Sequence, residues 1–370
     1  MPTHVLITGG AGFIGSHIAE LLLANGFAVR IIDNLSPQAH GETERPPYLP
    51  EDAELIVGDI RDRDALRRAL AGVGAVIHLA AAVGAGPSMY KIADYTNAND
   101  CGTAVLLEAL LRHPVERLVC ASSMNVYGEG LARRADGTLV NPAERRLDQI
   151  RRGEWEPQDE SGTLIPAPTP ETKPPSLNSI YALNKYCQER MCLITGRAYG
   201  IPTVALRFFN VYGPRQALSN PYTGVMSVFV ARLLNKHPPL VFEDGRQRRD
   251  FVHVRDVAEA CMLALGTELG VGDVFNVGAG ESRAIAGLAH DLAEVMGVGE
   301  IEPHITFKFR AGDVRHCFAD IAKSKAKLGF SPKVDFRTGI EELAGWLSNA
   351  LAGEHIEYAG TEFTRRGLIA

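Results

Sequence analysis

The chain has no excess of positive charge. Its 370 residues include 38 Lys and Arg against 44 Asp and Glu, which gives a formal net charge of −6 at pH 7. Nucleic acids and anionic membranes attract basic surfaces, so we expect neither as a partner. An anionic small molecule would have to be bound by local arginines.

The chain also has no apolar run long enough to span a bilayer, and no charged leader with an apolar stretch stands before the first strand candidate at His4. A membrane-spanning helix needs about 20 mostly apolar residues, and a secretory signal needs an apolar core behind a basic start. We therefore expect a cytoplasmic protein with no membrane partner.

The cysteines show no C-x-x-C pair and no regular framework; the six are Cys101, Cys120, Cys187, Cys192, Cys261 and Cys317. Thiols scattered in this way are typical of a reducing compartment. The eleven histidines show no ligand spacing near the cysteines. The sequence therefore predicts reduced thiols and no metal site.

What the chain does have is an alternation of strand and helix patterns from His4 to about Leu206. This alternation predicts an α/β fold with a doubly wound parallel sheet. With 370 residues, of which 46% are hydrophobic, the chain is long enough for this domain and a smaller lobe.

A glycine-rich turn follows the first strand candidate, His4 to Thr8. The turn Gly9-Gly-Ala-Gly12-Phe-Ile-Gly15 leads into an amphipathic helix. Glycines allow a tight turn and a close approach of the backbone, and the free N–H groups at the helix start bind a pyrophosphate. The spacing differs from the common G-x-G-x-x-G fingerprint of dinucleotide-binding proteins.

The second strand candidate, residues 28–33, ends in a carboxylate at Asp33. An acid in this place hydrogen-bonds the adenosine ribose and repels the extra phosphate of NADP, so the pattern predicts NAD. The alternative is a strand-end Asp that caps the following turn. Asp59-Ile60 and His78-Leu-Ala-Ala81 follow two further strand candidates and should lie along the same edge of the sheet.

Tyr181 and Lys185 are four residues apart on a predicted helix that starts near Ser179. Positions i and i+4 share one helix face. A free phenol has a pKa of about 10, and we expect the positive charge of Lys185 to lower the pKa of Tyr181. The alternative is a Tyr packed on the core beside a solvated Lys.

The motifs described so far resemble those of the extended short-chain dehydrogenase/reductase family, in its nucleotide-sugar epimerase and dehydratase branch. Three further segments share the resemblance: Ser122-Ser-Met-Asn-Val-Tyr127, Arg207 to Pro214 and Arg249 to Val254. The resemblance implies a Rossmann-type domain at residues 1–206, to which 252–280 return. A discontinuous substrate-binding lobe is expected at 207–251 and 281–370. It further implies a homodimer formed through the helix Asp94 to Arg112 and the helix near Ser179.

The resemblance also assigns roles to residues. The catalytic residues would be Ser123, Tyr181 and Lys185. The implied NAD-binding residues are Gly9, Gly12, Phe13, Ile14, Gly15, Asp33, Asn34, Asp59, Ile60, Leu79, Ala80, Ala81, Asn99, Ser122, Tyr181, Lys185 and Phe208. The implied binding residues for a nucleotide diphosphate sugar are Ser123, Met124, Asn125, Tyr181, Asn210, Leu240, Phe242, Arg249, Arg310 and Cys317.

Within this set, the resemblance gives Arg249, Arg310 and Asn210 to the diphosphate, which suits guanidinium chemistry. Leu240 and Phe242 would receive the base. Taken singly, each arginine would more often be a surface ion-pair partner.

The positions after Ser123 bear on the choice of reaction. Dehydratases of this branch carry an acidic pair there, because expulsion of water needs a general acid and a general base, whereas this chain has Met124 and Asn125. This favours a 4-epimerase that oxidises the sugar C4 hydroxyl to a ketone and reduces it again.

The sugar is less closely defined. Cys317 stands where glucose/galactose epimerases often carry a bulky Tyr, and residues 82–90 and 315–320 resemble the dTDP-L-rhamnose 4-epimerase subgroup. UDP-glucose, UDP-galactose and UDP-glucuronate remain alternatives. So do a nucleotide-sugar reductase, a dehydratase and a non-catalytic NAD(P)-binding sensor.

Residues 131–176 form an insertion in which arginines alternate with acidic residues before a proline-rich end. Mixed charge of this kind predicts a solvated surface flap. The alternative is a lid over the sugar pocket, because the insertion leaves the fold between Tyr127 and Tyr181.

Overall fold

A computed structural model describes residues 3–41, 43–216, 224–310 and 312–350. The last part of the predicted substrate lobe, residues 351–370, lies outside the described residues. In the described ranges no helix combines the length and the apolar character that a membrane crossing needs.

The centre of the molecule is a sheet of parallel strands. Its seven strands are β1 (His4–Thr8), β2 (Ala28–Asp33), β3 (Glu54–Val57), β4 (Ala75–His78), β5 (Arg117–Ser123), β6 (Thr203–Phe208) and β7 (Val274–Val277). Their order across the sheet is β7-β6-β5-β4-β1-β2-β3. The order reverses between β1 and β4, which is the switch point of a doubly wound sheet, so the predicted fold class is confirmed.

Helices cover both faces of this sheet and build the rest of the molecule. They are α1 (Phe13–Ala24), α2 (Pro37–His40), α3 (Arg63–Leu70), α4 (Ala85–Ser88), α5 (Ile92–Thr96), α6 (Gly102–Arg112), α7 (Leu147–Arg151), α8 (Ile180–Tyr199), α9 (Val225–Leu234), α10 (Val254–Gly266), α11 (Ile285–Val295), α12 (Ala322–Leu328) and α13 (Phe336–Ala350).

Successive residues of β1 enter two different cores. Val5 and Ile7 pack with residues of α1 and α10, whereas Leu6 packs on the opposite face with residues of α3 and α6. This is the period of two that a strand imposes on its side chains. Because both faces are covered, the strand is apolar at nearly every position.

A third core lies outside the sheet and joins α9, α11 and α13. Short strands surround it. Asn210–Tyr212 pairs with Phe251–His253, Leu240–Val241 pairs with His304–Ile305, and Arg248–Arg249 lies between Arg283–Ala284 and His316–Cys317. Between two stretches of this region the chain returns to the main sheet through α10 and β7. The residue bounds of the two domains stay a prediction.

The helix predicted from Asp94 to Arg112 is interrupted by a π-helix. Residues Asn97–Cys101 form this π turn between α5 and α6. Single π turns inside α-helices occur often at functional sites. Here the π turn contains the buried Asn99.

The insertion between β5 and α8 is built of short strands and α7. Ala132–Arg133 pairs with both Leu139–Val140 and Ile165–Pro166, and Gln158–Asp159 pairs with Gly162–Thr163. Exposed ion pairs such as Arg146–Asp148 agree with the predicted surface flap. Arg145 does not agree, because it is buried against the C-terminal lobe. The prediction of a fully solvated flap is therefore wrong for this part of the insertion.

Candidate active site

The carboxyl ends of the parallel strands collect most of the predicted site residues. Gly9 follows β1, Asp33 ends β2, Ala80 follows β4, and Ser123 and Phe208 end β5 and β6 as neighbours in register. Ligands of open α/β sheets bind at this edge, outside the strand ends and near the switch point. The main sheet therefore brings the predicted cofactor and catalytic residues to one edge.

The glycine turn packs too closely for side chains. Gly9 has φ +68°, and a Cβ atom there would lie 2.8 Å from Cα of Ala80. A Cβ atom on Gly15 would lie 2.5 Å from Cα of Gly10. Gly12 is the N-cap of α1, and Phe13 and Ile14 are its first residues. The turn thus leaves a narrow backbone cradle at the positive end of α1, where a pyrophosphate is favoured.

Asp33 joins β2 to this turn. Its carboxylate accepts the N–H of Ala11 at 3.1 Å and the N–H of Leu35 at 3.0 Å, and His40 Nε2 lies 3.5 Å away. The bond to Leu35 is the turn-capping contact that was the alternative to ribose binding. The bond to Ala11 holds the carboxylate beside the cradle, and the ribose-binding role of Asp33 stays a prediction.

Asp59 is fixed at the neighbouring strand end. Arg61 donates to both carboxylate oxygens, at 2.8 and 2.7 Å, and Asn34 Nδ2 donates to one of them at 3.2 Å. The hydrogen bond from Arg61 is the main cause that lowers the pKa of Asp59 to about 2. Ile60 beside it is buried.

A chain of hydrogen bonds orders the backbone after β4. The N–H of Ala80 donates to Thr8 Oγ1, which bonds His78 Nδ1 at 2.7 Å, and His78 Nε2 bonds Thr103 Oγ1 at 2.9 Å. Thr103 in turn donates to the carbonyl of Asn99. Because Thr103 uses its proton in that bond, His78 carries its proton on Nε2. Burial, with Lys185 nearby, lowers the pKa of His78 to about 3.

Asn99 then clasps the same loop from the other side. Its Oδ1 accepts the N–H of Ala82 at 2.6 Å, and its Nδ2 donates to the carbonyl of Ala82 at 3.1 Å. Leu79, Ala80 and Ala81, which precede Ala82, are half-buried. In this structure the side chain of Asn99 therefore fixes the predicted cofactor loop by binding the backbone of Ala82.

Tyr181 and Ser123 meet at the carboxyl edge. The backbone N–H of Tyr181 donates to Ser88 Oγ at 3.0 Å, which anchors the first turn of α8. Ser179 caps this helix by accepting the N–H of Ala182. Burial raises the pKa of Tyr181 to about 12, and the hydrogen bond with Ser123 opposes that rise.

Lys185 does not act on Tyr181 as expected from the sequence. Its ammonium donates to Gln188 Oε1 at 2.8 Å, one turn further along α8, and burial lowers its pKa. The predicted lowering of the pKa of Tyr181 is therefore absent from this structure, because enclosure of the phenol dominates. Gln188 also donates to Thr103 at 2.8 Å, which joins Lys185 to the chain of hydrogen bonds around His78.

The residues after Ser123 surround its hydroxyl with amides. Ser123 Oγ accepts from both the backbone N–H and Nδ2 of Asn125, each at 3.2 Å. Met124 is buried, and Asn210 Nδ2 lies 3.3 Å from its sulfur while donating to the carbonyl of Asp250. Asn210 is thus close to the catalytic candidates, although its amide already has protein partners.

Ser122, predicted to contact the cofactor, points instead into a buried polar chain. Its hydroxyl donates to Glu189 at 2.7 Å, and Arg207 donates to both oxygens of Glu189 at 2.8 and 2.7 Å. The guanidinium of Arg207 lies 4.7 Å from the ring centre of Tyr127. Ser122 points away from the cofactor side because successive residues of β5 face opposite sides of the sheet.

The predicted substrate residues of the C-terminal lobe form a wall at two adjacent segments. Arg310 stacks on Phe242, with its guanidinium 4.5 Å from the ring centre. Arg249 donates to the carbonyls of Val314 and Arg315. We call residues 240–242, 310 and 312–317 together the lobe wall; Leu240, half-buried, begins the first segment.

Cys317 was expected to line the sugar pocket, but its side chain has no exposed surface. It packs with Met124 and Phe209, and burial raises its pKa to about 12. The cause is the insertion, whose Thr169 forms a bridge with Ala319 and covers this strand.

Several contributors to the site were absent from the sequence prediction. They are Thr8, Ser88, Thr103, Gln188 and Glu189. Two of them had a usable signal, because Thr8 directly precedes the glycine turn and Gln188 lies three residues after Lys185, on the same helix face.

The model of the NAD dependent epimerase/dehydratase family matches residues 5–146 and 157–278. The chain belongs to this family. A dTDP-L-rhamnose 4-epimerase of Burkholderia thailandensis is 38% identical over 352 residues, which cover 94% of this chain and 95% of that protein. The predicted kinship with NAD-dependent nucleotide-sugar epimerases is confirmed at this level.

Two solved structures of UDP-glucose 4-epimerases are similar to this chain in fold and sequence. The UDP-glucose 4-epimerase of Thermotoga maritima, solved with UDP-glucose, has a TM-score of 0.78 at 32% identity and covers 94% of this chain and 99% of that one. The UDP-glucose 4-epimerase of Thermus thermophilus, solved with NAD, has a TM-score of 0.73 at 32% identity with the same coverage. The predicted cofactor, NAD, is therefore confirmed for this epimerase/dehydratase family enzyme.

The residues of this chain fit that cofactor. The cradle at Gly9 and Gly15 has room for backbone contact and none for a side chain. Asp33 stands beside it with a carboxylate, which suits the free ribose hydroxyls of NAD.

Proposed function

We propose that this enzyme is a nucleotide-sugar 4-epimerase with a tightly held NAD. The observation that carries the proposal is the pairing of Ser123 with Tyr181, together with the lack of a free carboxylic acid at the described positions 124, 125 and 129. Met124 and Asn125 occupy the two following positions, and Glu129 is engaged by the backbone N–H groups of Arg315 and His316 at 2.7 and 3.1 Å. A dehydratase would need a free acid and base here.

In the proposed reaction Tyr181 takes the proton of the C4 hydroxyl, with Ser123 hydrogen-bonded between them, and returns it after reduction of the ketone. NAD bound in the cradle supplies a reversible hydride acceptor for C4. Lys185, which donates to Gln188 in this structure, is proposed to hold the nicotinamide ribose. Asn125 holds Ser123 and would contact the sugar ring.

The 4-keto sugar must rotate within the site before the ketone is reduced, so that C4 receives the hydride on its other face. Arg249, Arg310 and Asn210 would keep the diphosphate bound meanwhile, and Leu240 and Phe242 would hold the base. The remaining cofactor contacts are proposed at Gly12, Asp33, Asp59, Ala81 and Phe208.

The proposed substrate is dTDP-L-rhamnose. The likeness to the Burkholderia enzyme supports it, since 38% identity extends over 94% of this chain. UDP-glucose, UDP-galactose and UDP-glucuronate are the alternatives, and the two solved relatives named above are UDP-glucose 4-epimerases.

The proposal is tested by incubating the protein as purified with each of these four nucleotide sugars and recording proton NMR spectra, with and without added NAD. We expect the C4 epimer of dTDP-L-rhamnose to appear without added NAD. Turnover of only a UDP-sugar would keep the reaction and replace the substrate. If all four return unchanged in both arms, the proposed function is wrong.

We also propose a homodimer formed through α6 and α8. These helices expose apolar side chains, including Leu111, Leu183 and Ile194. Exposed apolar side chains of this size favour burial against a second chain. Sedimentation velocity should give twice the mass of one chain, and a single-chain mass at micromolar concentration would contradict the dimer.

A further inference from the structure

The insertion and the C-terminal lobe meet at a group of charges, buried except for the partly exposed Glu156 and Asp244, which we call the arginine cluster. It consists of two arginines and four acidic residues, namely Arg145, Arg315, Glu129, Glu156, Glu243 and Asp244. Arg145 and Glu156 belong to the insertion. None of the six was among the residues to which the resemblance gave a role.

Arg315 is fully enclosed at the centre of the cluster. It donates to Glu156 at 3.2 and 2.6 Å, to Glu243 at 2.8 Å, and to Asp244 at 2.7 and 3.1 Å. A buried guanidinium is stable only when its N–H groups are satisfied. Three carboxylates, one of them from the insertion, therefore fix the position of Arg315.

Arg145 is the second bridge. Its guanidinium donates to Glu243 and to the carbonyl of Asp313, both at 2.9 Å, and its Nε lies 3.3 Å from Glu129. Glu129 in turn accepts the backbone N–H groups of Arg315 and His316. Arg145 thus holds both the side chain of Glu243, which follows Phe242, and the backbone of residues 313–316.

His316 adds a directional bond to Glu156. The Nδ1 atom of His316 accepts the backbone N–H of Arg248 at 3.1 Å, so this nitrogen carries no proton. The proton is therefore on Nε2, which lies 2.6 Å from the Glu156 carboxylate. Hydrogen bonds from His316 and Arg315 outweigh the effect of burial and lower the pKa of Glu156 to about 2.

The cluster is continuous with the lobe wall, to which Arg315 itself belongs. Phe242 precedes Glu243, and the strand Arg248–Arg249 pairs in register with His316–Cys317. Arg249 also donates to the carbonyls of Val314 and Arg315. A shift of Arg315 or His316 would therefore move Arg249 and Phe242 with it.

We propose that Arg145 and Glu156 of the insertion are positioning residues for the nucleoside diphosphate part of the substrate. The insertion is then a fixed brace: it holds the lobe wall through the arginine cluster and does not open and close over the sugar. The inference rests on the proposed function, because it requires that the lobe wall binds a sugar nucleotide.

The most specific variant is Glu156→Gln. Its amide NH₂ cannot serve both neighbours, because His316 Nε2 and the Arg315 guanidinium are both donors and His316 cannot change its tautomer. Arg315 keeps Glu243 and Asp244, so the fold is retained. Arg145→Lys is the second variant, since lysine keeps the charge and loses the planar fork.

The matched control is Asp148→Asn. Asp148 lies in the same insertion and pairs with Arg146 and Arg152, but all three side chains are about half exposed or more. Exposed pairs contribute little, so this variant should behave as wild type.

The experiment measures the binding of dTDP and of UDP by calorimetry, KM and kcat on the sugar nucleotide that is turned over, and the NAD content of each purified variant. We expect Glu156→Gln and Arg145→Lys to raise Kd and KM by about tenfold, with kcat changed by less than about threefold and NAD content unchanged. Wild-type Kd and KM in both variants, with or without a lower melting temperature, would overturn the positioning role. A wild-type protein that binds neither nucleotide would contradict the proposed function and the brace together.

Discussion

Two buried polar regions of this molecule are built in opposite ways. The catalytic edge, with Ser123 and Tyr181, is organised by hydroxyl and amide groups, and the buried ammonium of Lys185 is hydrogen-bonded to the amide of Gln188. The arginine cluster is organised by charges. Its central contacts join residues far apart in sequence, such as Glu156 with Arg315 and Glu129 with the backbone of His316.

The difference follows from the chemistry each region must allow. Neutral groups around His78 and Tyr181 can be hydrogen-bonded in the interior without a large desolvation cost, and a proton can then move without leaving a fixed charge unpaired. Buried ion pairs need every donor satisfied and resist displacement once they are. One region is thus suited to proton transfer, and the other to holding a wall in place.

The largest effect is expected from a substitution at Tyr181, which should change kcat and leave nucleotide binding unchanged. Tyr181→Phe removes the proposed acid and base, and we expect kcat to fall by about 10²- to 10⁴-fold while the Kd for dTDP stays near wild type. Variants of the arginine cluster should instead raise the Kd for dTDP while kcat stays near wild type. Steady-state kinetics and calorimetry on the same preparations measure both quantities.

Tyr199→Phe is the control for this substitution, because Tyr199 ends the same helix and is 63% exposed. It should keep wild-type kcat and Kd. A Tyr181→Phe enzyme with unchanged kcat would refute the proton-transfer role of the catalytic edge.

A smaller effect concerns the pH dependence of stability. Burial lowers the pKa of His78 to about 3 from its ordinary 6.5. Below pH 6.5 the unfolded chain therefore binds a proton that the folded chain refuses, so stability from this group is present above pH 6.5 and is lost as the pH falls toward 3. The loss is roughly 1.4 kcal/mol per pH unit for one such group.

Urea unfolding at pH values from 7 to 4 measures this loss. His78→Gln should lower the free energy of unfolding at pH 7. It should also make the decrease of this free energy toward pH 4 less steep, by the contribution of one titrating group, roughly 1.4 kcal/mol per pH unit. An unchanged slope in His78→Gln would mean that His78 is not the buried neutral group described here.

The two regions also differ in how far the sequence predicts them. The glycine turn, Asp33 and the Tyr181–Lys185 pair were predictable, because each depends on a short window and on the rule that strand ends share one edge of a sheet. The side on which Ser122 lies was not, since it depends on the pleat of β5. Nor was the partner of Lys185, which a neighbouring amide on the same helix provides.

The arginine cluster could not be predicted at all. Arg145 looked like the other arginines of a solvated insertion, and only the return of the chain at residues 243 and 313–316 buries it. The covered position of Cys317 has the same origin, because Thr169 bridges to Ala319 over that strand.

In the proposed reaction this enzyme removes the hydrogen at C4 of a nucleotide sugar and returns the same hydrogen to the opposite face. The direct measurement is to incubate the protein as purified with dTDP-L-rhamnose in D₂O and to follow C4 by proton NMR. We expect a C4 epimer that retains its hydrogen at C4 without added NAD. An epimer carrying deuterium at C4, or no epimer from any of the four nucleotide sugars, would contradict it.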